Sequence, residues 1–305
     1  MAIYLVTGGA GFIGTHLVES LLDDGHAVRV LDDLSTGVRE NLDPRAELVV
    51  GDAGVPGTVQ AAILGVAGIF HLVAVVPGRS VKADWRDAHR GNLAATLHAV
   101  DAARAANVPV VYASSCAVYG DCADSPLSEA ARPMPISAYG ADKLAGESHI
   151  RAAGRAHGLP SAVFRLFDVF GPRQNAQSPY ADDIPAFCES VRRGESCVVP
   201  GDGKRARDLV YVADAVAALR LGIALAASDA PIFNVGTGRP TTRIDLARRL
   251  QRLSGSPADP APAPPRADEI GDSLADIRKL AARGWTPRTG LDEGLRATLA
   301  WHAGA

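Results

Sequence analysis

The chain has 305 residues, 47% of them hydrophobic, and a formal net charge of −3 from 31 Lys and Arg against 34 Asp and Glu. That length supports a large core in two units, or in one unit with a lobe, and the near-neutral charge carries no nucleic-acid footprint. The four cysteines (Cys116, Cys122, Cys188 and Cys197) have no metal-ligand spacing and read as free thiols of a reducing compartment, while the absence of any 18-residue apolar run predicts no membrane span.

The first expected strand is Ile3-Tyr4-Leu5-Val6. It starts almost at the N-terminus, so no signal peptide is expected and the cytoplasm is the expected compartment. Thr7-Gly8-Gly9-Ala10-Gly11-Phe12-Ile13-Gly14 follows at once, then a helical pattern of Leu17, Val18, Leu21 and Leu22. Gly9, Gly11 and Gly14 fit G-x-G-x-x-G, and Gly8, Gly11 and Gly14 also fit a three-residue spacing. Strand, glycine loop and helix together are the setting of a dinucleotide site. Glycine allows the tight turn and close approach to a pyrophosphate, and the helix N-terminus offers free N–H groups. A glycine-rich turn with no ligand is the plainer reading of the loop alone.

The next strand, Ala27 to Leu31, ends in Asp32, 18 residues past Gly14. A carboxylate there accepts both adenosine ribose hydroxyls and repels a 2′-phosphate, which favours NAD over NADP. Asp33 reads as a turn residue, and Arg29 and Arg39 stay open as phosphate partners. Leu48-Val49-Val50, before Gly51-Asp52, and Gly68 to Val73 are further strands. Trp85 to Ala106 reads as one long helix, Val108 to Ala113 as a strand, Tyr139 to His157 as a helix and Ser161 to Leu166 as a strand. This rhythm predicts an α/β fold with a doubly wound parallel sheet (Rossmann type) and a smaller C-terminal α/β substrate lobe. Residues 1–170 are expected to form the NAD-binding unit, with 207–253 partly returning to it; 171–206 and 254–305 form the lobe. Gly171 to Pro179 reads as loop, Ile184 to Arg193 as helix, Gly201 to Lys204 as a hairpin-like turn, and Val210 to Ala227 as an amphipathic helix carrying Asp214 and Arg220. Phe233 to Gly236 is a strand and Thr241 to Leu253 a helix. Ser254 to Arg266, rich in Pro and Ala, reads as a packed extended connector rather than a disordered linker.

Tyr139 and Lys143 stand four apart, on one face of a helix downstream of the nucleotide loop. A neighbouring ammonium favours the phenolate, so such a Tyr can take a proton from an alcohol while hydride leaves the same carbon. Ser114 and Ser115 end a strand, where ligands sit in such sheets. Ser115 is the candidate for binding the reacting oxygen beside Tyr139; a capped turn is the plain alternative. Cys116 reads as a small packed residue and Tyr119 as structural.

These residues, with Arg165 to Gln174, Gly201-Asp202-Gly203, Arg207-Asp208, Asn234 to Gly238 and Gly284 to Pro287, resemble the extended short-chain dehydrogenase/reductases. In detail the chain is similar to the nucleotide-sugar 4-epimerases of the NAD-dependent epimerase/dehydratase family. The resemblance implies a UDP-sugar substrate and a homodimer built from the helices 85–106 and 139–157, with Leu93, Leu97, Val100, Leu144 and Ile150 as its apolar positions. It implies NAD contacts at Gly8, Gly11, Phe12, Ile13, Gly14, Asp32, Asp52, Ala53, Leu72, Tyr139 and Lys143, with catalysis at Ser115, Tyr139 and Lys143. It implies substrate contacts at Ser115, Asp168, Arg207, Arg266 and Ser273. The two arginines match diphosphate-binding positions, and Ser273 matches a wall where a small residue admits N-acetylhexosamines. Dehydratase and decarboxylase relatives carry acidic residues just after the active-site Ser; Cys116 and Ala117 stand there instead, favouring epimerisation. A dehydratase or keto-sugar reductase, and a non-catalytic binding protein, are the competing readings. Three positions depart from the family pattern: Asp168 replaces the usual Asn, Pro200 an aromatic residue and Leu209 a Phe.

Overall fold

The computed structural model describes residues 1–75, 85–122, 125–175, 183–256, 258–265 and 271–304. Strand β1 (Ile3–Thr7) runs into the glycine loop and helix α1 (Phe12–Asp23). The chain then forms β2 (Ala27–Asp32), β3 (Glu47–Val50), α2 (Thr58–Ala62), β4 (Gly68–His71), α3 (Trp85–His89), α4 (Ala95–Ala106), β5 (Val110–Ser115), α5 (Ala138–His157) and β6 (Ser161–Leu166). After these come β7 (Asp168–Phe170), α6 (Asp183–Arg192), β8 (Val198–Pro200), β9 (Ala206–Tyr211), α7 (Val212–Leu225) and β10 (Ile232–Val235). β11 (Pro240–Thr242), α8 (Arg243–Ser254), β12 (Ala261–Ala263), α9 (Arg278–Ala281) and α10 (Leu291–Gly304) complete the described elements.

Seven strands pair in parallel in the order β3-β2-β1-β4-β5-β6-β10. Successive side chains of a strand point to opposite faces, so each apolar run feeds two cores. Leu5, Ile69 and Val110 join Val59, Ala99 and Ile150 under α2, α4 and α5. Their neighbours Val6, Phe70 and Val111 join Leu17, Leu21 and Leu219 under α1 and α7. Burial of a Val, Leu or Phe side chain contributes about 1.5–3 kcal/mol, which explains why these short strands are apolar on both faces. Strand order reverses between β1 and β4, and ligands bind such sheets in the crevice at the carboxyl ends beside that point. Among the described residues no helix is long and apolar enough to cross a membrane.

Beyond β6 the structure departs from the local sequence reading. A three-stranded sheet of β11, β9 and β7 and a separate two-stranded sheet of β12 and β8 are built from this part of the chain. Phe187, Leu246, Leu250 and Leu295 pack there as a third core. Gly201 to Lys204 is a turn, but no hairpin: β8 pairs with β12 and β9 with β7 and β11, so the turn carries the chain between sheets. The stretch from Val210 is not one helix either, because Val210 and Tyr211 end β9 and α7 begins at Val212. The expected helix from Trp85 to Ala106 is interrupted by a π-helical turn at Arg90–Ala94. The connector after α8 is packed, with Ala261–Ala263 hydrogen-bonded alongside β8.

Candidate active site

The glycine loop closes by contact of backbone on backbone. A Cβ on Gly14 would lie 2.2 Å from the Gly8 carbonyl oxygen, and Gly8 has φ +71° and donates to the Leu31 carbonyl. Neither position takes a side chain without moving the loop. Helix α1 starts at Phe12 and Ile13 with Gly11 as N-cap, and no side chain caps it. The first N–H groups of a 12-residue helix thus remain for an anion, with the dipole favouring negative charge. Asp32, at the end of β2, is 6% exposed; its Oδ2 accepts from the Ala10 N–H at 2.9 Å and its Oδ1 from the Leu34 N–H at 2.9 Å. Burial pushes its pKa up, and a second anion beside it would raise that cost. Arg29 is committed elsewhere, to Glu47 and the carbonyls of Ala62 and Leu64. The donor set therefore fits a pyrophosphate with a free ribose diol, as in NAD.

Asp52, Ala53 and Leu72 lie past the carboxyl ends of β3 and β4. Asp52 accepts from the Gly54 N–H and from Arg90, the buried Ala53 bonds His98 through its carbonyl, and the Leu72 N–H donates to the Thr7 carbonyl. Asn92, inside the π-turn, grips Val75 with both ends of its amide at 2.8 Å and so holds the chain just after Leu72.

Helix α5 is capped by Ser137, whose Oγ accepts from the Gly140 N–H, so Tyr139 is its second helical residue. The positive end of the helix favours a phenolate there. Gly140 lets α5 approach the end of β5, since a Cβ would lie 2.5 Å from the Ala117 carbonyl oxygen. Ser115 is the last residue of β5. Its Oγ accepts from the Ala117 N–H at 3.1 Å, capping the short turn after it. That bond uses a lone pair and leaves the hydroxyl proton to donate, so the capping and binding readings of Ser115 are compatible. Lys143 is 2% exposed; its Nζ donates to the Ala113 carbonyl at 2.8 Å and lies 5.8 Å from the Tyr139 ring centroid. Burial pushes Lys143 down to about 8, against the upward pull of Glu147 and Asp142. His71, between the hydroxyls of Thr7 and Thr96, is pushed down to about 3 by burial and by Lys143, and so stays neutral at working pH.

Behind this face lies a polar group that sequence reasoning missed. Glu147 Oε1 accepts from Ser114 Oγ at 2.5 Å and from Arg165 Nε at 2.9 Å, and Oε2 from Arg165 Nη2 at 2.7 Å. Both side chains are only 2–3% exposed. Arg165 stacks 4.7 Å from the Tyr119 ring centroid, and Tyr119 donates to Asn234 at 2.7 Å. A charge in the otherwise apolar strand Ser161–Leu166 was the available signal, since a buried guanidinium demands a carboxylate.

The substrate candidates meet in part. Ser273 Oγ donates to Asp168 Oδ2 at 3.3 Å. Burial pushes Asp168 up while the Arg207 charge draws it down. Arg207 Nη1 donates to the carbonyls of Gly271 and Ala206. Arg173 pairs instead with Glu19 at 2.6 Å. Arg266 lies outside the described residues. Pro200, Lys204, Arg205, Arg243, Pro265 and Asp272 border a cavity of about 530 Å³ at the lobe.

The sequence matches the family model described as "NAD dependent epimerase/dehydratase family" over residues 4–236. A UDP-glucose 4-epimerase of Mycolicibacterium smegmatis is 37% identical, over 97% of this chain and 96% of that protein. UDP-glucuronic acid decarboxylase 1 of Xenopus tropicalis is 30% identical, over 97% of this chain and 70% of its own length. The crystal structure of a UDP-glucose 4-epimerase with UDP-glucose from Thermotoga maritima superposes with a TM-score of 0.93 at 33% identity, covering 98% of both chains.

Proposed function

Because the chain belongs to the NAD-dependent epimerase/dehydratase family, we propose that it is an NAD-dependent nucleotide-sugar 4-epimerase acting on a UDP-hexose, of the glucose/galactose or the N-acetylhexosamine pair. The observation that carries this reading is the placing of Ser115, Tyr139 and Lys143 at the carboxyl edge of a sheet whose first loop ends in an uncapped helix. Bound NAD supplies the hydride acceptor, and then the donor, for transient oxidation at C4. Tyr139 takes the 4-hydroxyl proton and returns it. The ammonium of Lys143 and the start of α5 favour the phenolate. Ser115 donates to the reacting oxygen and fixes its position. Gly8, Gly11, Phe12, Ile13 and Gly14 hold the pyrophosphate, Asp32 holds the ribose, and Asp52, Ala53 and Leu72 complete the wall. Arg207 and Arg266 take the diphosphate, and Asp168 and Ser273 flank the sugar.

Dehydration and decarboxylation find no acid–base pair at Cys116 and Ala117; burial pushes the Cys116 thiol up rather than towards thiolate. A purely binding role does not need a proton acceptor at Tyr139 backed by the ammonium of Lys143. The test is incubation with UDP-, dTDP- and GDP-sugars and NMR of the products. Epimeric product with no net NADH supports the reading, and loss of water or stoichiometric cofactor use overturns it.

A pH dependence arises from Lys143. It is cationic below about 8 and neutral above, so the support it lends the phenolate disappears as pH rises through that value. Turnover is expected to fall on the alkaline side with a midpoint near 8; a rate still flat at pH 10 contradicts the role.

The same reading makes the chain a cytoplasmic homodimer. Val100 and Ile150 are buried in the core under the sheet and the half-buried Leu144 packs against the Tyr119 and Phe167 cluster, which leaves Leu97, 37% exposed on α4, and Leu93, half-buried in the π-helical turn, as the apolar positions for a partner. Light scattering at micromolar concentration is expected to give the mass of two chains, and a monomer mass rejects the bundle.

A further inference from the structure

Asp168 is the first residue of β7, two past Leu166 at the end of β6. Leu166 is the register partner of Ser115. Asp168 thus follows just past the end of the strand that neighbours Ser115, where the chain leaves the main sheet for the β11-β9-β7 sheet. It is half-buried and accepts from Ser273 Oγ at 3.3 Å, and Ser273 itself is 6% exposed. Its charge reaches Cys116, the residue after Ser115: after burial, Asp168 is the largest influence pushing that thiol up. Arg207 opposes it electrostatically, but its Nη1 is held by the carbonyls of Gly271 and Ala206.

On a pyranose, the carbon that carries C6 is bonded to C4. A group at C6 therefore lies within a few ångströms of an oxygen held by Ser115. A carboxylate beside that space accepts hydrogen bonds from hydroxyls and repels a second carboxylate, and partial burial strengthens both effects. We propose that Asp168 sets the charge class of the sugar, accepting a neutral hexose and rejecting a hexuronate. This rests on the nucleotide-sugar reading above and deepens it. The residue would act through charge rather than shape, because Asn and Asp are nearly the same size.

The test compares UDP-glucose with UDP-glucuronate on the wild-type protein and on Asp168→Asn, by kcat/KM and by calorimetric Kd, with UDP alone as reference. The wild type is expected to favour UDP-glucose. The Asn variant is expected to raise the glucuronate-to-glucose ratio at least about tenfold, equivalent to about 1.4 kcal/mol, with UDP binding little changed. An unchanged ratio overturns the inference. An equal gain for UDP and both sugar nucleotides also overturns it, since the carboxylate would then act on the diphosphate. Asp168→Ser, which also removes the charge, serves if thermal melts show that the Asn variant folds poorly, and must give the same ratio change. If the wild type turns over neither sugar, the epimerase reading fails, while the Kd ratios still decide the charge inference.

Discussion

Tyr139→Phe is expected to lower turnover at least about 10²-fold, within the usual range for removing a general acid–base group, while leaving the fold and NAD affinity intact. The ring stays and only the proton carrier goes. The stem is supported by the Ser137 cap and by the close approach of Gly140 to Ala117, neither of which involves the phenol oxygen. Fluorescence titration with NADH and a thermal melt establish that the variant is intact, and single-turnover kinetics then isolates the chemical step. Near-normal turnover rejects Tyr139 as the base. His71 is a poor substitute, being enclosed between two threonines and held neutral.

Glu147→Gln is the largest expected stability change. It removes the charge that compensates Arg165 at a site where both side chains are almost fully enclosed. Breaking a buried pair by removing one partner costs about 3–5 kcal/mol, which for a chain of this size lowers Tm on the order of 10 °C. Combining it with Arg165→Met is expected to recover part of that loss, because no uncompensated guanidinium remains. A second readout separates tuning from mere support. Glu147 pulls the Lys143 pKa up, so its loss should move the alkaline limb of the pH–rate profile below 8. A melt within about 1 °C of wild type, with an unmoved limb, would remove the pair from the account of the site.

The first unit was largely legible because its signals are local. An apolar run, a glycine loop and a helix repeat predict β1, α1 and β2 from neighbouring residues alone, and Tyr139 with Lys143 needs only the helical period. What was not legible depends on partners far along the chain. β7 and β11 are three residues each, half polar, and are strands only because β9 lies between them. The turn at Gly201 to Lys204 reads as a hairpin locally, yet the strands on either side find separate partners. The π-turn depends on Asn92 reaching Val75, 17 residues earlier. The unpaired charge of Arg165 was visible in its apolar strand, but the choice of Glu147 belongs to the docking of α5 on the sheet. Asp168 could be seen to depart from the family pattern; its bond to Ser273, 105 residues later, could not.

The order in which the sheet is assembled has a consequence for synthesis. Strands β1 to β4 and the glycine loop are complete by residue 72, so a ribosome has made the glycine loop and Asp32 with three quarters of the chain, Tyr139 and Lys143 included, still to come. The backing of the catalytic face closes much later: Tyr119 finds its acceptor only when Asn234 arrives on β10, the strand that also covers the open edge of β6. Until then β6 presents a row of unpaired backbone groups beside a buried arginine, the kind of edge that recruits other chains. The glycine loop is thus synthesised long before its support: α1 packs on α7, which ends only at Leu225, so the nucleotide loop and the groups behind Tyr139 and Lys143 gain their backing together, late in synthesis.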